Sequence, residues 1–536
     1  MNTKSGIEMN VGEASIKLLE AYGVDTVFGI PGVHTLEFCR GLNRSSIQHV
    51  QARNEQGAGF MADGYARASG KPGVALLISG PGVTNAATAM GQAYADSIPM
   101  LVLSADAASH TLGKGWGALH EVTSLTAVTA PLTAFSATAM TPEEVPVLLA
   151  RAFSVFCSQR PRPVHIAIPT DVLEMPASGN WEAIELAHHP APASKKIESA
   201  CELLRAATRP MICVGGGATL AGEAISELAE RLGAPVISSI AGKGIVPGTH
   251  PLSLGGGVVR AEVLQYVKQA DVVLAVGTEL SEVDCFGGTL EINGKIIRID
   301  IDACKMNDRF PADVAVVGGA KSSCETIAAE LGDVSPRLET AAEVAAIKQE
   351  LRTHLSVSEV RHRKALDLLR ETLPGDTIVM ADVCQLVYTG AFAFDVSAPR
   401  LWNYPGGYCT LGSALPDAIG AKLARPDTPV VAFAGDGGFM FTLQELVTGA
   451  ELGLALPIIL WNNNGLKQIQ DDMKLRDIEL VGVSGINPDF MALAQACHCH
   501  ATRAETAEAL CSAIHHAFAA ERPTLIEVGE QDAWLN

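Results

Sequence analysis

The sequence is short of charged and aromatic residues, and it has no long apolar run. Of its 536 residues, 18% carry a charged side chain, 5% are aromatic and 48% are hydrophobic. No apolar run reaches the roughly 18 residues that a membrane-spanning helix needs. The N-terminal segment also lacks the continuous apolar core of a signal peptide. We therefore expect a cytoplasmic globular protein with ample material for several cores.

Positive charge and paired cysteines are scarce as well. The 39 lysines and arginines are outnumbered by 59 aspartates and glutamates, which gives a formal net charge of −20. Such a surface repels nucleic-acid phosphates, so neither a nucleic-acid nor a membrane partner is expected. The twelve cysteines include no Cys-x-x-Cys pair. In a chain of this size that argues against a disulfide scaffold.

Short β-rich apolar runs alternate with alanine-rich helical stretches along the whole chain. Examples are the strand-like GVALLIS and PMLVLSAD, separated by the helical GVTNAATAMGQAYAD. This alternation indicates parallel sheets that are covered by helices on both faces. Polar segments at residues 188–196 and after Leu331 resemble linkers. We predict an α/β protein with three doubly wound parallel-sheet domains, which span residues 1–178, 190–335 and 355–536.

The stretch GDGGFMFTLQELVTGAELGLALPIILWNNN raises the first functional question, because it ends on three asparagines. Asparagine is a poor residue for a strand or a helix interior. The runs PVVAFAG and PIILWNN read as strands. The segment between them reads as a helix, with Thr442 and Glu445 at capping-box spacing. The pattern therefore predicts a βαβ unit, whose two strands run parallel.

Polar residues follow the carboxyl ends of both predicted strands. Asp436 follows the first strand and Asn463 the second, so they would meet at one sheet edge if the strands are neighbours. A carboxylate and an amide oxygen suit Mg²⁺ that keeps phosphate oxygens as further ligands. Gly437 and Gly438 would let backbone N–H groups approach the anion. Taken alone, Gly-Asp-Gly could be a turn and Asn-Asn could simply end a strand. Their occurrence together on either side of a βαβ unit favours a metal–diphosphate site.

A Gly-Asp-Gly followed at this distance by Asn-Asn resembles the signature of thiamine diphosphate enzymes. Further segments are similar to the acetolactate synthase/2-oxo-acid decarboxylase branch of that family. They are RNEQGAGFMADGYARASGKPGV (residues 53–74), SGPGVTNAATAMGQAYADSIPMLVLSA (79–105), RPVHIAIPTDV (162–172) and YCTLGSALPDAIGAKLA (408–424). The resemblance covers nearly the whole chain. It implies a pyrimidine-binding, a middle and a diphosphate-binding domain in that order, with thiamine diphosphate and Mg²⁺ as cofactors.

The resemblance assigns Glu55 to the acid that activates the cofactor. A carboxyl group in a dry site can donate to a ring nitrogen of the aminopyrimidine, which prepares it to take a proton. The alternative is a glutamate that stabilises the first turn of a helix through the helix dipole. Asn54 departs from the pattern, because many relatives have histidine before this glutamate.

The resemblance also assigns the other cofactor contacts. The side chains of Asp436 and Asn463 and the backbone carbonyl of Gly465 would bind Mg²⁺. Leu411 corresponds to the bulky residue that holds the cofactor bent, although a core leucine is the simpler alternative. The carbonyl of Cys409 would accept the cofactor's exocyclic amine. The residues expected along the diphosphate are Gln385, Gly437 and Gly438.

The loop GIPGVHTLEF (residues 29–38) corresponds to the one that faces the reacting carbon. Val33 stands where several decarboxylases have an acid or a hydroxyl, so protonation must come from elsewhere. His34 and His120 are the catalytic candidates, although a lone histidine is more often structural.

The substrate is indicated by GVHT, LHE and the GDGG stretch, which look most like the bacterial 5-guanidino-2-oxopentanoate decarboxylases. A guanidinium binds carboxylates, and Glu121, Asp471 and Asp472 are available. A solvated acidic face is the alternative for the aspartate pair. Lys467 and Gln468 stand where glycine and an acidic residue are expected in that group, and a lysine would repel a cationic substrate.

Two other functions and one other cofactor stay open. An acetolactate synthase-like carboligase would join two oxo acids, but the region after Asn464 lacks the tryptophan of many synthases. A non-catalytic paralogue should have lost the activating acid or the metal ligands, and both are present. We expect no FAD, because the middle third has no GxGxxG motif. Family likeness implies a homodimer or homotetramer with active sites at subunit interfaces.

Overall fold

The computed structural model describes residues 9–286 and 288–536, and within these ranges the chain forms three parallel sheets of six strands each. The prediction of an α/β fold built on three parallel sheets is therefore confirmed. The chain divides into two compact units. The first contains residues up to His188 with Leu415–Pro426 and Thr442–Leu454, and the second contains His189–Ala414, Asp427–Phe441 and Ala455–Asn536. The predicted domain boundaries stay predictions.

The first sheet lies in the first unit. Its strands are β1 (Thr26–Gly29), β2 (Gln48–Gln51), β3 (Gly73–Leu77), β4 (Met100–Asp106), β5 (Phe135–Thr138) and β6 (Val164–Pro169). They are ordered β2-β1-β3-β4-β6-β5. Strands β3, β4 and β6 are buried throughout, as their nearly continuous apolar sequences require. The helices of this region are α1 (Val11–Ala21), α2 (Leu36–Leu42), α3 (Glu55–Ser69), α4 (Pro81–Asp96), α5 (Leu125–Thr129), α6 (Glu144–Ser158) and α7 (Thr170–Leu173).

The second sheet has the strand order of a doubly wound dinucleotide-binding fold. Its strands are β7 (Pro210–Val214), β8 (Val236–Ser238), β9 (Ser253–Gly255), β10 (Val272–Val276), β11 (Lys295–Asp300) and β12 (Val314–Val317). The order β12-β11-β10-β7-β8-β9 reverses direction between β7 and β10. The helices are α8 (Ser194–Ala206), α9 (Gly222–Leu232), α10 (Ala261–Val267), α11 (Ala320–Glu330) and α12 (Thr340–Thr353).

The glycines after β7 are explained by a close backbone approach. A Cβ on Gly215 would lie 2.4 Å from the carbonyl oxygen of Gly277. The N–H of Gly217 donates to the same oxygen at 3.0 Å. The glycine-rich turn therefore packs directly against the end of β10. That the protein binds no FAD stays a prediction.

The third sheet repeats the order of the first. Its strands are β13 (Ile378–Ala381), β14 (Trp402–Asn403), β15 (Val430–Gly435), β16 (Pro457–Asn462), β17 (His500–Arg503) and β18 (Thr524–Gly529), ordered β14-β13-β15-β16-β18-β17. Its helices are α13 (Val357–Thr372), α14 (Gln385–Ala393), α15 (Ala414–Ala424), α16 (Asp436–Phe439), α17 (Glu445–Glu451), α18 (Lys467–Leu475), α19 (Phe490–Ala496) and α20 (Ala507–Phe518). Helix α17 and nearly all of α15 belong to the first unit.

The predicted βαβ unit is confirmed. Strands β15 and β16 are parallel neighbours, with Gly435 paired to Trp461, so both carboxyl ends lie at one sheet edge. The capping-box prediction for Thr442 and Glu445 is wrong. The Glu445 carboxylate accepts hydrogen bonds from the backbone of Arg53 and Asn54 and from Thr448 instead, because those donors surround it in the buried interior of the first unit.

Two broader expectations can be compared with the described residues. Helices that are both long and apolar enough to cross a membrane are absent from the described ranges. The twelve cysteines, all of which lie in those ranges, are free thiols. The expectation of no disulfide scaffold is confirmed.

His165 on β6 is a buried histidine in a polar cluster. Its Nε2 lies 2.9 Å from the Ser104 hydroxyl, and its Nδ1 lies 2.8 Å from Thr129 and 2.9 Å from Ser136. Burial lowers its pKa to about 3. The folded state therefore holds His165 neutral, whereas the unfolded chain takes up a proton below its ordinary pKa of about 6.5. Its contribution to stability is complete above that pH and is lost as the pH falls toward 3, at about 1.4 kcal/mol per pH unit.

We expect the apparent melting temperature to fall as the pH is lowered from 7 to 4.5. In His165→Gln the melting temperature should fall less steeply with pH, because glutamine does not titrate and unfolding then takes up one proton fewer. His515→Gln, which replaces an exposed histidine of α20, is the control and should follow the parent protein. Thermal unfolding followed by circular dichroism across this pH range measures the effect. An unchanged slope in His165→Gln would contradict it.

Candidate active site

Asp436 is the buried centre of the edge formed by β15 and β16. It follows the last residue of β15 and is 1% exposed. Its Oδ2 accepts hydrogen bonds from the N–H of Gly465 at 2.9 Å and from the Asn487 side chain at 2.8 Å. Asn487 was not expected from the sequence. The predicted residues Asp436 and Gly465 are therefore neighbours in the structure.

The three consecutive asparagines have three different roles. Asn462 is buried and fixed, since its Nδ2 donates to Glu527 at 2.7 Å and its Oδ1 accepts from Asn487 at 3.1 Å. Asn464 has a positive φ of 61° and forms the turn, which asparagine tolerates well. Asn463 lies between them, and its side chain makes no hydrogen bond with any described residue.

This edge fits a magnesium ion that is shared with a phosphate ligand. It offers one buried carboxylate, one amide without a protein partner, and the backbone at Gly465, which are all hard oxygen donors. No cluster of three or more His, Cys, Asp or Glu suited to a metal occurs in the described part of the chain. A metal held by Asp436 and Asn463 would therefore need oxygens from its ligand, as Mg²⁺ in phosphate sites normally does.

Asp382 connects the loops around this edge, and sequence reasoning missed it. It follows β13 and is 1% exposed. It accepts the N–H of Val383 at 2.7 Å and the N–H of Gly412 at 3.0 Å on each oxygen. A Cβ on Gly438 would lie 2.6 Å from its Oδ2, so the carboxylate itself requires a glycine there. Burial raises the pKa of Asp382 to about 6, against these N–H donors.

The other predicted cofactor contacts lie on loops and helix starts of the second unit. Gln385 begins α14, and its Nε2 donates at 3.2 Å both to Gln468 and to Asp471 of α18. Cys409 is exposed and has a positive φ of 53°. Leu411 is half-buried and precedes Gly412, which Asp382 holds. An added Cβ on Gly437 would meet the Leu466 side chain at 3.0 Å, a tight contact with the end of a flexible side chain.

Glu55 lies in the first unit as the first residue of α3. It is 9% exposed, and its Oε2 accepts a hydrogen bond from the Asn85 side chain at 2.9 Å. Asn54 caps the helix, with its Oδ1 accepting from the N–H of Gln56 at 2.8 Å. The structure therefore gives Glu55 a buried, anchored carboxyl group. Asn85 is a further partner that no sequence pattern had marked.

His34 and His120 lie together in the first unit. Their ring centroids are 5.2 Å apart with the ring planes inclined at 67°, and His34 Nδ1 lies 2.7 Å from the Ser79 hydroxyl. The Nδ1 of His120 is buried and has no hydrogen-bond partner among the described residues. Burial lowers the pKa of His34, and the neighbouring charge of His120 lowers it further. The sequence had named both residues without predicting that they form a pair.

Three family descriptions match the chain in order. They are "Thiamine pyrophosphate enzyme, N-terminal TPP binding domain" over residues 9–127, the "central domain" over 197–327 and the "C-terminal TPP binding domain" over 382–528. Glu55 falls within the first match, and Asp436 and Asn463 fall within the third.

Curated relatives match along nearly their full length. The chain is 49% identical over 525 residues to a probable 2-ketoarginine decarboxylase of Pseudomonas aeruginosa, covering 97% of this chain and 94% of the relative. It is 32% identical over 557 residues to a probable acetolactate synthase large subunit of Methanocaldococcus jannaschii, with 97% and 92% covered. It is 33% identical over 475 residues to the acetolactate synthase isozyme 1 large subunit of Escherichia coli, with 86% and 83% covered.

Proposed function

The chain belongs to the thiamine pyrophosphate (thiamine diphosphate) enzyme family, and from this membership we propose that it is a Mg²⁺-dependent decarboxylase of 5-guanidino-2-oxopentanoate. This compound is 2-ketoarginine, the 2-oxo acid of arginine. The reaction would release CO2 and the aldehyde that is one carbon shorter. The observation that carries the proposal is the 49% identity, over 97% of the chain, to a probable 2-ketoarginine decarboxylase.

The chain's own residues supply the parts that this chemistry needs. When bound, thiamine diphosphate supplies the electron sink that loss of CO2 from a 2-oxo acid requires. Asp436 and Asn463 would hold Mg²⁺ against the diphosphate, with the carbonyl of Gly465 as a third ligand. Glu55 would donate from its buried carboxyl to a ring nitrogen of the cofactor. Its hydrogen bond from Asn85 supports this role by fixing the carboxyl group.

Proton transfer to the product is assigned to the pair of His34 and His120. A lowered pKa keeps His34 neutral near pH 7, so it serves as a hydrogen-bond partner and proton acceptor rather than as a standing acid. The Nδ1 of His120 is buried and has no hydrogen-bond partner among the described residues, which supports its role as the group that exchanges a proton with the reacting molecule. Val33, beside them, is 61% exposed and adds no acid or hydroxyl.

A carboxylate on α18 without an ion-pair partner in the described ranges supports a cationic substrate. Lys467, which had weakened the assignment, forms an ion pair with Asp471 and is thereby neutralised. Asp472 accepts only from Gln468, at 3.3 Å, and has no cationic partner among the described residues. Asp472 is therefore a carboxylate of this helix without an ion pair, although Lys474 in the last turn balances the formal charge of the helix as a whole. Glu121 is a weaker candidate, because its carboxylate binds the N–H groups of Gly115, Gly117 and Ala118 in its own loop.

Aromatic rings near Asp472 would suit a guanidinium as well. Tyr388 lies 5.3 Å from Phe286 and 6.4 Å from Tyr404 between ring centroids. The pKa of Tyr388 is raised, chiefly by burial, and the nearby charge of Asp472 adds to this. The hydroxyl of Tyr404 lies 3.5 Å from the sulfur of Cys409, which is a predicted cofactor contact. Guanidinium groups stack on such rings and pair with carboxylates.

We expect Asp472→Asn to lower kcat/KM for 5-guanidino-2-oxopentanoate by about 10- to 100-fold, because a charge-assisted contact is lost. Turnover of 2-oxohexanoate, which has no cationic tail, should change little. Asp477→Asn, which removes an exposed charge just after the same helix, is the control. Steady-state kinetics on both substrates measures the difference. An equal loss on both substrates would contradict the role in recognition.

A carboligase of the acetolactate synthase type is the second candidate, and the 32–33% identity to such synthases favours it. Purified protein with thiamine diphosphate and Mg²⁺ should be given a panel of 2-oxo acids and, separately, pyruvate alone. The proposal predicts rapid CO2 release from the guanidino acid and no acetolactate from pyruvate. Acetolactate as the main product would show a carboligase instead. Activity confined to small neutral 2-oxo acids would show a decarboxylase with another substrate.

The assembly and location of the protein are part of the same proposal. We place the enzyme in the cytoplasm as a homodimer or homotetramer, in which Glu55 of one subunit serves a diphosphate site of another. Support comes from the family likeness, in which active sites form between subunits. Light scattering in the presence of cofactor measures the mass of the particle. A mass equal to that of one chain would contradict the proposed assembly.

A further inference from the structure

We propose that Glu445 is a positioning residue for Glu55, because it holds the backbone that immediately precedes the activating acid. This inference rests on the proposed function, since it gives Glu445 a role in activating the same cofactor. Both glutamates belong to the first unit, and so do the contacts between Glu445 and the segment before Glu55.

The Glu445 carboxylate is buried and points at the start of α3. Glu445 is 0% exposed. Its Oε1 accepts the N–H of Arg53 at 3.0 Å and of Asn54 at 3.1 Å. Its Oε2 lies 3.2 Å from the N–H of Arg53 and accepts the hydroxyl of Thr448 at 2.7 Å. Burying a carboxylate away from water costs free energy unless hydrogen-bond donors surround it. Of the donors to Glu445, all except the Thr448 hydroxyl belong to the segment directly before Glu55.

The position of this segment decides where Glu55 stands. Arg53 and Asn54 directly precede Glu55, and Asn54 caps the helix. Because Glu55 is the first helical residue, a shift of the two preceding peptides moves its Cα directly. Asn85 holds the other end of the side chain at 2.9 Å. Glu445 and Asn85 together therefore fix the backbone and the carboxyl of the activating residue.

Gly57 supports this arrangement independently. A Cβ at this position would lie 2.3 Å from Oε1 of Glu445 and 2.6 Å from its carboxyl carbon. The helix thus has a glycine at the point where the carboxylate needs room, although glycine weakens a helix interior. This feature belongs to α3 itself and is explained by the presence of the Glu445 carboxylate.

An amide cannot replace the carboxylate without changing this contact. A carboxylate only accepts hydrogen bonds, whereas glutamine has one acceptor oxygen and one NH2 group. That NH2 group either faces the backbone N–H donors of Arg53 and Asn54 or forces the Thr448 hydroxyl to accept instead of donate. Glu445→Gln keeps the size and helix preference of the side chain but loses part of the anchor. A displacement of about 1 Å at a reacting group can cost about 100-fold in rate, so the effect on Glu55 should be measurable.

The test has one readout without cofactor and one with it. In the apoprotein, Glu445→Gln should speed hydrogen–deuterium exchange in peptides that contain Arg53 and Asn54. With thiamine diphosphate and Mg²⁺ bound, the exchange of the cofactor's thiazolium C2 proton, followed by quenched-flow NMR, should slow by about 10- to 100-fold. The dissociation constant of the cofactor should stay within about threefold, because the expected diphosphate contacts are untouched.

Glu451→Gln is the matched control. Glu451 lies on the same helix, but it is largely exposed and pairs with the side chain of Arg53 instead of its backbone. Surface ion pairs of this kind contribute little, so both exchange rates should equal those of the parent. If Glu445→Gln does not fold, Gly57→Ala replaces it in the test. Its new methyl group displaces the Glu445 carboxylate but leaves Glu445 itself unchanged, so the same changes in both exchange rates are expected.

The outcomes separate the possible failures. Unchanged C2 exchange in folded Glu445→Gln would overturn the inference, and so would a loss of cofactor affinity as large as the loss of exchange. An equal effect of Glu451→Gln would also overturn it. If the unmodified protein itself fails to accelerate C2 exchange over free cofactor, the proposed function is wrong, and the positioning role falls with it.

Discussion

Glu55→Gln is expected to lower the rate of CO2 release by about 10²- to 10⁴-fold, which is the usual contribution of a positioned proton donor or acceptor. Glutamine keeps the shape of the buried side chain and can still accept the hydrogen bond that Asn85 now gives to Glu55 at 2.9 Å. It cannot share a proton with the cofactor's ring nitrogen. The binding of thiamine diphosphate should therefore be nearly preserved while kcat collapses.

Steady-state kinetics and calorimetric titration with the cofactor measure the two quantities separately. Glu371→Gln, an exposed residue near the end of α13, is the control and should leave both unchanged. A Glu55→Gln protein that turns over normally would remove the activating acid from the account. Loss of cofactor binding together with kcat would make Glu55 a structural residue.

Asp436→Asn should weaken the affinity of the enzyme for Mg²⁺. Even residues that only orient a metal ligand typically change affinity by about 10- to 100-fold, and a direct ligand should reach at least the upper end of that range. Asparagine can still accept the N–H of Gly465, so the edge should keep its shape. Activity at low Mg²⁺ should disappear and return partly when the metal concentration is raised.

Titration of activity against Mg²⁺ concentration measures this change. Asp427→Asn, an exposed residue shortly before β15, controls for the loss of a negative charge. A half-saturating Mg²⁺ concentration equal to that of the parent protein would show that Asp436 is not a ligand.

The sheet edge could be predicted from the sequence because the elements that form it follow one another directly in the chain. A strand, a helix and a second strand were enough to place Asp436 and Asn463 at neighbouring carboxyl ends, and β15 and β16 are indeed paired. The strand and helix pattern likewise predicted three parallel sheets, since short apolar runs that alternate with helical stretches along the whole chain leave few other arrangements. Of the three asparagines, only Asn463 was assigned a role from the sequence, and the fixed position of Asn462 depends on its contacts with Glu527 and Asn487.

Residues that act across long sequence separations could not be predicted in this way. Glu445 bonds to Arg53 and Asn54, which lie almost 400 residues earlier, so its local spacing suggested a capping box instead. Asp382 holds Gly412 across a loop, and nothing near it in sequence signals that contact. An acidic residue at the carboxyl end of a parallel strand was a usable signal for Asp382. For Glu445 and Asn85 there was none.

The most direct test of the account is cofactor dependence in the purified protein. Protein stripped of metal and cofactor should be given 5-guanidino-2-oxopentanoate with thiamine diphosphate, with Mg²⁺, with both or with neither, while CO2 is recorded. We expect rapid CO2 release only when both are present. Release that ignores thiamine diphosphate, or no release from any 2-oxo acid with both present, would contradict it.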